Sequence, residues 1–374
     1  MELYEIESTA EKVLQQRADE NFVPLGGTIE LLPLCNMDCK MCYVRKTKAE
    51  MDREGRMLSC DQWLDIARQA IDEGLLFLLL TGGEPLIYPE FKRLYSTLAQ
   101  KGVVLTVNTN GTLIDEEWAD FFAANGCRRL NITLYGKDDR TYGELCNNPR
   151  GFTQVMNACR LLKQRNVPFR LTCSVTPTNA DQLPELFAIA RQFDVPLYAA
   201  AYMFPGSRRG VCAEEQYRMT PEECARTTFW IHHLEFPEDD MVQVAKQALA
   251  KLMDPPRHYR GKGFNCHAGR SGFWINWKGE LSPCGMFSEP MVDLHTHSFR
   301  DGWKHIVDTT QEMAFCEDCK SCRIQNLCSV CPAKCYTESG RTDLRPDYVC
   351  RTTMAEVNLL EEFLRYCEEV EHHE

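Results

Sequence analysis

A strand-like apolar run leads directly into a cysteine-rich loop near the start of the chain: TIELLPLCNMDCKMCY, residues 28–43. The loop places Cys35, Cys39 and Cys42 in a C-x3-C-x2-C spacing. Three thiolates on one loop can hold a 4Fe-4S cluster through three of its irons and leave the fourth iron open to another ligand. A structural zinc site is the alternative interpretation, but it needs a fourth ligand, and the next cysteine is Cys60.

The alternation of short apolar runs with amphipathic stretches continues to about Ala201 and is typical of βα units around a parallel sheet. Helical spacing is clear, for example, in Trp63, Ile66 and Ala70. The six predicted strands are Thr28–Leu34, Leu75–Leu80, Val103–Val107, Arg129–Leu134, Phe169–Val175 and Val195–Ala201. Six consecutive units predict an α/β fold, a partial (βα)6 TIM-like barrel, with functional residues in the loops at the carboxyl ends of the strands.

The loop after the second predicted strand contains Gly82, Gly83, Glu84 and Pro85. Glycines let the backbone approach a ligand closely, and a carboxylate can accept hydrogen bonds from an ammonium group. Alone, this sequence would be an ordinary turn. Barrel geometry would bring it to the same rim as the three cysteines, so we expect the two loops to form one site.

The alternation stops after Pro205, and the rest of the chain has a different character. A helical pattern runs to about Met253 with a break at Phe236-Pro237, and Asp254-Pro255-Pro256 marks a boundary. Little periodic structure follows until a closing helix near Thr353–Glu369. We therefore predict a lead segment (1–27), a barrel (28–210), a helical linker (211–260) and a cysteine-rich domain (261–374).

Cysteine usage indicates metal rather than disulfides. The chain has 20 cysteines, and nine of them lie between Cys266 and Cys350. The chain is long and its amino terminus lacks the basic start and apolar stretch of a secretory signal, so we expect a cytoplasmic protein in a reducing compartment. A segment with little periodic structure must be organised by something other than an apolar core. Zinc and iron-sulfur clusters both use C-x2-C pairs, so both remain open at this point.

The charge balance and the distribution of apolar residues each argue against one kind of partner. With 54 acidic and 42 basic residues the formal net charge is −12, and the longest basic runs are pairs such as Arg128-Arg129. No nucleic-acid partner is therefore expected. No uninterrupted run of about eighteen apolar residues exists, so no membrane partner is expected either.

The two loops together resemble the signature of the radical S-adenosylmethionine (SAM) enzymes. Further matches lie at residues 108–112, 133–136 and 172–179, and the resemblance covers roughly residues 24–205. One departure is Met41, where the family usually has an aromatic residue or histidine before the third cysteine. The resemblance implies a partial barrel that binds one 4Fe-4S cluster and SAM.

The same resemblance implies a mechanism and a set of roles. The amine and carboxylate of SAM would chelate the open iron, and the segment Gly82, Gly83, Glu84 and Pro85 would hold the methionine amine. Two further candidates, Asn110 and Thr133, would contact the nucleoside. An electron from a donor such as flavodoxin or ferredoxin would cleave SAM to a 5′-deoxyadenosyl radical, which abstracts hydrogen from the substrate.

The cysteine-rich tail resembles the SPASM domain, which carries two auxiliary 4Fe-4S clusters. The resemblance implies that the first cluster takes Cys266, Cys284 and Cys331, and the second takes Cys319, Cys322, Cys328 and Cys350. The spacing before Cys331 is one residue shorter than usual, which makes Cys335 a competing ligand. The first cluster has only three ligands in this assignment, and Cys316 is a candidate for the missing one.

Enzymes with this type of tail mostly modify peptides or proteins. Sulfatase-maturating members have an aspartate after the cysteine that matches Cys284, whereas this chain has Gly285. The spacing before Cys331-Pro332-Ala333 resembles maturases that form thioethers in cysteine-rich peptides. Many of these carry a peptide-recognition domain before the barrel, but only residues up to Gly27 precede the first predicted strand. A separate recognition protein, or direct binding of the precursor peptide, would then be needed.

The leading hypothesis is therefore a radical SAM peptide maturase, an oxidoreductase that forms a thioether crosslink. A dehydrogenase or epimerase of a small sugar or alcohol is the alternative within the enzyme class. A zinc-organised binding protein without radical chemistry is the alternative from another class.

Overall fold

A computed structural model describes residues 8–205, 217–254, 264 and 266–371. The strands are β1 Gly26–Glu30, β2 Phe77–Thr81, β3 Val104–Thr109, β4 Arg129–Thr133, β5 Phe169–Ser174, β6 Leu197–Ala200, β7 Gly272–Ile275, β8 Glu280–Ser282 and β9 Val292–Asp293. The helices are α1 Thr9–Asn21, α2 Lys48–Glu54, α3 Cys60–Asp72, α4 Phe91–Gln100, α5 Glu116–Asn125, α6 Asp139–Cys146, α7 Gly151–Gln164, α8 Leu183–Phe193, α9 Pro221–Glu235, α10 Glu238–Ala250, α11 Phe299–Glu312, α12 Glu317–Lys320, α13 Pro332–Ser339 and α14 Asp347–Glu371.

The strands form one sheet in the order β6-β5-β4-β3-β2-β1-β7-β8-β9. The seven strands from β6 to β7 are parallel, and the predicted α/β fold with a partial barrel of βα units is confirmed. The first strand ends at Glu30, four residues before its predicted end at Leu34. Pro33 lies in that stretch and has no backbone N–H to donate to a ladder, so the chain leaves the sheet and enters the cysteine loop.

The cysteine-rich tail is joined to the barrel by its first strand. β7 runs parallel to β1, with Gly26 opposite Gly272 and Ile29 opposite Ile275. β8 and β9 then continue the sheet in antiparallel fashion. The prediction of little periodic structure before the closing helix was wrong, since α11 alone has 14 residues. The three strands have only two to four residues each, which is too short to show a period in the sequence.

The barrel core lies between the sheet and its covering helices. Outward-facing strand residues such as Ile29, Leu80 and Val107 are almost fully buried there. Between α4 and α5 an aromatic cluster fills the same layer, with the ring centroids of Phe91 and Phe122 6.4 Å apart. This packing fixes the strands whose carboxyl ends carry the candidate site.

The helices that directly follow the barrel and the closing helix agree with the prediction, apart from where the closing helix begins. α9 ends at Glu235 and α10 begins at Glu238, so the predicted break at Phe236-Pro237 is confirmed. The closing helix α14 begins at Asp347, six residues before its predicted start. It packs on α9, where the rings of Phe229 and Phe363 lie 5.6 Å apart. None of the helices in the described residues has the length and apolar character needed to span a bilayer.

Glu356 on α14 provides a test of this packing. Burial raises its pKa to about 7, well above the ordinary value of 4.5, although the nearby positive charge of Lys334 opposes the shift. The folded state therefore binds the proton more tightly than the unfolded state, and stability is lost as the pH rises from about 4.5 to 7. We expect Glu356→Gln to match the wild type at pH 5 and to be more stable by about 1 kcal/mol at pH 8.

Thermal unfolding of the two proteins at both pH values measures this effect. Glu361→Gln, an exposed position on the same helix, is the matched control and should leave the pH dependence unchanged. Equal stability of wild type and Glu356→Gln at pH 8 would contradict the prediction.

Candidate active site

The cysteine loop is held in place by the carboxyl end of α6. Backbone N–H groups of Asp38 and Lys40 donate to the carbonyls of Cys146 and Leu145, at 3.1 and 3.0 Å. These carbonyls have no partner within the helix, so the loop satisfies them. The side chains of Met37 and Met41 are buried and anchor the loop from below. The loop backbone is therefore held by contacts that do not depend on the three thiols alone.

The three predicted cluster ligands lie together on this loop, and each is half-buried. Backbone N–H groups of Met37 and Arg45 donate to the sulfurs of Cys35 and Cys42, at 3.4 and 3.3 Å. Burial raises the pKa of Cys35 to about 12, and the charges of Glu84 and the other two thiols add to this shift. A hydrogen bond with the Cys146 thiol, together with burial, raises the pKa of Cys39 well above its ordinary value.

This donor set fits an iron-sulfur cluster. Three thiols are the ligands such clusters take, and N–H groups directed at the sulfurs are the outer hydrogen bonds that orient and tune them. Within the described ranges, no three histidine, cysteine, aspartate or glutamate side chains converge in the manner required by a single metal ion. The fit therefore rests on the three thiols sharing one fixed loop.

Glu84 is fully buried and joins the loops that follow β2 and β3. Its carboxylate accepts hydrogen bonds from the Leu86 N–H at 3.1 Å, the Thr109 hydroxyl at 2.8 Å and the Asn110 N–H at 2.8 Å. Burial raises its pKa to about 7, and the three hydrogen bonds oppose that shift. The structure thus gives Glu84 a bracing role that the sequence did not indicate. Its predicted contact with the SAM amine stays a prediction.

The two glycines before Glu84 allow the loop after β2 to lie directly on the segment between β1 and the cysteine loop. The Gly83 N–H donates to the Leu32 carbonyl at 2.7 Å, and the Glu84 N–H donates to the Leu34 carbonyl at 2.9 Å. A Cβ atom on Gly83 would lie 2.1 Å from the Leu34 carbonyl oxygen, so only glycine fits. Pro85 follows as the first residue of a buried 3₁₀ turn.

The two candidate nucleoside contacts differ in position. Asn110 donates through its side-chain amide to the Asn36 side chain at 2.8 Å and to the sulfur of Cys35 at 3.6 Å. It therefore lies on the same rim as the cysteine loop. Thr133 lies at the end of β4, where its carbonyl accepts a hydrogen bond from the Tyr142 hydroxyl at 3.1 Å. Neither role is tested by these contacts, and both stay predictions.

The structure also groups the cysteines predicted for the first auxiliary cluster. Cys331 caps α13, and its sulfur accepts a hydrogen bond from the Lys334 N–H at 3.4 Å. Burial raises the pKa of Cys331, and the nearby Cys266 thiol contributes to the shift. Cys284 and Cys331 pack against one small apolar cluster around Phe287. The three predicted ligands therefore lie in one region of the tail.

The cysteines predicted for the second auxiliary cluster form a neighbouring group. Burial raises the pKa of Cys350 to about 11, with contributions from the Cys328 and Cys322 thiols. Burial also raises the pKa of Cys319, which lies close to Cys316, Cys335 and Cys350. Cys316, the candidate for the missing ligand of the first group, thus lies beside Cys319 in the second group. Cys335 lies between the groups, near both Cys331 and Cys316.

A cavity of about 200 Å³ lies between the cysteine loop, the last barrel strands and the tail. Its walls are largely apolar or aromatic and consist of Met41, Cys42, Tyr43, Tyr135, Ser174, Tyr202, Met203, Phe204 and Met286. Tyr202 and Met203 follow shortly after the end of β6. Ser174 and Met286 were missed. Ser174 carried a usable signal, since it ends a predicted strand, but Met286 reaches the cavity only through the β7 pairing.

Tyr202 connects this cavity to the tail. Its hydroxyl donates to the Glu338 carboxylate at 2.8 Å, and Arg218 pairs with the same carboxylate. The Arg218 guanidinium also lies 3.8 Å from the ring centroid of Tyr348. A buried ion pair thus holds one wall of the cavity against α13.

A cysteine-bearing loop and a glycine-rich loop on one rim of a partial barrel define an iron-sulfur enzyme of the α/β class. Residues 29–188 match the model of the Radical SAM superfamily. Residues 29–188 of this chain therefore form a radical SAM domain. That domain implies one 4Fe-4S cluster and SAM as cofactors.

Two similar proteins have names that indicate different functions. AdoMet-dependent heme synthase of Methanosarcina barkeri (strain Fusaro / DSM 804) is 22% identical over 83% of this chain and 92% of its own length. Sporulation killing factor maturation protein SkfB of Bacillus subtilis (strain 168) is 22% identical over 75% of this chain and 65% of its own length.

Two solved structures share the fold over nearly the whole chain. Streptococcus suis SuiB bound to precursor peptide SuiA has a TM-score of 0.68 at 17% identity, covering 92% of this chain and 81% of SuiB. Native anSMEcpe with bound AdoMet has a TM-score of 0.68 at 17% identity, covering 93% of this chain and 100% of that protein.

Proposed function

We propose that this chain modifies a ribosomally made precursor peptide by radical SAM chemistry, with a thioether crosslink as the leading product. The similarity to SkfB, whose name describes a maturation protein, supports this proposal. SuiB, which shares the fold, has been crystallised with its precursor peptide. The observation that carries the proposal is the open edge of the sheet at β6.

This edge offers room for an extended chain. In the part of the molecule that the structure describes, no strand pairs with the outer side of β6. Tyr198 on β6 is 62% exposed, and Ser174 and Ala200 at the ends of β5 and β6 are exposed as well. A peptide can add to a sheet edge through backbone hydrogen bonds and direct alternate side chains inward. An extended substrate therefore fits this side of the barrel better than a small enclosed sugar does.

In this proposal, the residues on the rim of the barrel have different roles. Cys35, Cys39 and Cys42 would hold the cluster, and the 82–83 backbone would lie against the SAM methionine. When bound and reduced, the cluster supplies an electron that splits SAM into methionine and a 5′-deoxyadenosyl radical. Glu84 keeps the β2 and β3 loops in register, because its buried carboxylate bridges them. The apolar cavity walls would exclude water from the reacting carbon.

Formation of a thioether has a defined balance. The substrate carbon would give a hydrogen atom to the 5′-deoxyadenosyl radical, which becomes 5′-deoxyadenosine. The cysteine sulfur would lose a proton, a C–S bond would form, and one electron would leave. The cysteine groups around Cys331 and Cys350 would each hold an auxiliary cluster, and such a cluster would supply an acceptor for this electron. Flavodoxin or ferredoxin would supply the first electron, and a separate recognition protein would deliver the peptide. We also propose the domain boundaries predicted from the sequence, with the barrel beginning at residue 28, the helical linker at residue 211 and the cysteine-rich domain at residue 261.

A second candidate function is a SAM-dependent step of heme synthesis. The favouring observation is coverage, since the alignment spans 92% of the Methanosarcina heme synthase but only 65% of SkfB. The zinc-organised binding protein is not pursued, because residues 29–188 form a radical SAM domain. The small sugar or alcohol alternative has no comparable support.

Mass spectrometry tests the proposal. The reconstituted protein would be incubated with SAM, dithionite and a synthetic copy of a cysteine-rich precursor peptide encoded beside it. We expect 5′-deoxyadenosine to form and the peptide to lose two hydrogens, with the loss blocked when its cysteines are alkylated. Cleavage of SAM without any change in the peptide, together with a loss of heme in cells that lack the chain, would instead favour heme synthesis.

A further inference from the structure

Two arginines lie on the inner wall of the barrel, below the candidate active site. Arg129 opens β4 and Arg170 lies near the start of β5, where Asn131 is paired with Arg170 in register. Side chains alternate along a strand, so Arg129, Asn131 and Arg170 share the inner face. Both arginines line a cavity of about 550 Å³ that also reaches Tyr43, Cys266 and Cys284. The wall is therefore continuous with the region of the predicted clusters.

The positive charge of this wall contrasts with a chain whose formal net charge is −12. The neighbouring Arg128 pairs with Glu11 at 3.2 Å, and Lys163 pairs with Asp194 at 3.5 Å. Arg170 differs from both, because no carboxylate among the described residues forms an ion pair with it. Its guanidinium lies 5.3 Å from the ring centroid of Tyr198.

Arg170 also carries an unused hydrogen-bond donor. Its Nε atom is buried and has no hydrogen-bond partner among the residues that the structure describes. Burial lowers the pKa of Arg170, and the charge of Arg128 adds to that shift. Burying a charged donor without an acceptor costs free energy that a bound anion would offset. If Arg170 had only a structural role, its contact with the Tyr198 ring would be sufficient for that role. That role does not account for the buried Nε atom, which still lacks an acceptor.

We propose that Arg170, with Arg129, binds a carboxylate of the substrate on the inner wall of the barrel. The proposal rests on the proposed function, in that the substrate enters the barrel through the β6 edge. Guanidinium groups bind carboxylates through two parallel N–H···O bonds, which gives position as well as affinity.

The strand geometry sets the spacing between this carboxylate and the reacting atom. Ser174 lines the cavity beside Cys42 and lies four residues after Arg170 on β5. Four residues of strand span about 13 Å. An extended peptide covers that distance with about four residues. In a peptide substrate, the carboxylate would therefore belong to an acidic residue about four positions from the residue that reacts.

The same chemistry could come from a porphyrin, whose propionate groups are also carboxylates. Two fluorescent peptides and one porphyrin separate the sources: Gly-Cys-Ala-Ala-Ala-Glu-Gly amide, its Gln twin, and coproporphyrin III. Binding to the reconstituted protein with SAM present would be followed by anisotropy for the peptides and by absorbance for the porphyrin. SAM cleavage by dithionite would be measured in the same samples.

For wild type, we expect the Glu peptide or coproporphyrin III to bind about ten-fold tighter than the Gln twin. Arg170→Gln and Arg129→Gln should remove that preference, and Arg170→Lys should restore part of it. Arg160→Gln, an exposed arginine on α7, is the matched control and should keep it. Thermal unfolding of each variant shows whether it is folded, and Arg129→Gln carries the test if Arg170→Gln does not fold.

Each outcome decides the proposal. A preference for the Glu peptide identifies a peptide carboxylate, and one for the porphyrin alone identifies a propionate. Equal binding of both peptides with no porphyrin binding, or a preference that survives both Gln variants, would overturn the site. Absence of SAM cleavage with the preference intact would count against the proposed function and leave the carboxylate site standing.

Discussion

Replacing Cys35, Cys39 and Cys42 together by alanine is expected to abolish SAM cleavage and to lower the iron content from roughly twelve to about eight atoms per chain. The expectation follows from one 4Fe-4S cluster on the cysteine loop and the two auxiliary clusters predicted for the tail, of which the triple variant would lose only the first. The loop itself should persist, because its backbone is held by the Cys146 and Leu145 carbonyls rather than by the thiols. Iron and acid-labile sulfide after anaerobic reconstitution measure the result.

Two controls make this experiment decisive. Cys367→Ala, near the end of α14, removes a cysteine that belongs to neither predicted cluster group and should keep full iron content and activity. Replacing Cys319, Cys322, Cys328 and Cys350 should remove about four other irons while leaving SAM cleavage detectable. Zinc without sulfide in the wild type, or unchanged iron in the triple variant, would refute the assignment of the cysteine loop.

The barrel and the cysteine loop could be predicted from the sequence alone, because each depends on residues that are close together in the chain. The six strands are apolar runs with recognisable flanks, and the predicted ligands Cys35, Cys39 and Cys42 lie within eight residues. Local patterns also located the break between α9 and α10, since Pro237 cannot continue a helix.

Features that depend on distant residues could not be predicted. The pairing of β7 with β1 joins residues almost 250 positions apart, and the sequence of a four-residue strand does not indicate which strand it pairs with. The bracing role of Glu84 depends on two N–H groups and a hydroxyl that only the folded chain brings to it. The position of Cys316 beside Cys319 likewise follows from packing, because a C-x2-C spacing allows several ligand sets.

Gly83→Ala is expected to reduce SAM cleavage at least a hundredfold by displacing the backbone that leads into the cysteine loop. A Cβ atom there would lie 2.1 Å from the carbonyl oxygen of Leu34 and 2.9 Å from that of Pro33. These are backbone atoms, so no side-chain rotation relieves the clash, and Leu34 is bonded directly to Cys35. We also expect a loss of about 3 kcal/mol or more in the free energy of unfolding, at the upper end for overpacked sites.

The effect should be steric and local, which the control can show. Gly143 lies within α6, where alanine has a higher helix propensity than glycine. A Cβ atom at this position would lie 3.5 Å from the nearest atom, the Cα atom of Pro149, which is an ordinary contact distance. Gly143→Ala should keep wild-type stability and activity. Because the clash lies at the residue before Cys35, Gly83→Ala should also bind less iron after reconstitution while the tail clusters load normally. If Gly83→Ala retains wild-type iron content and SAM cleavage, the glycine loop does not set the position of the cysteine loop, and the two loops act independently.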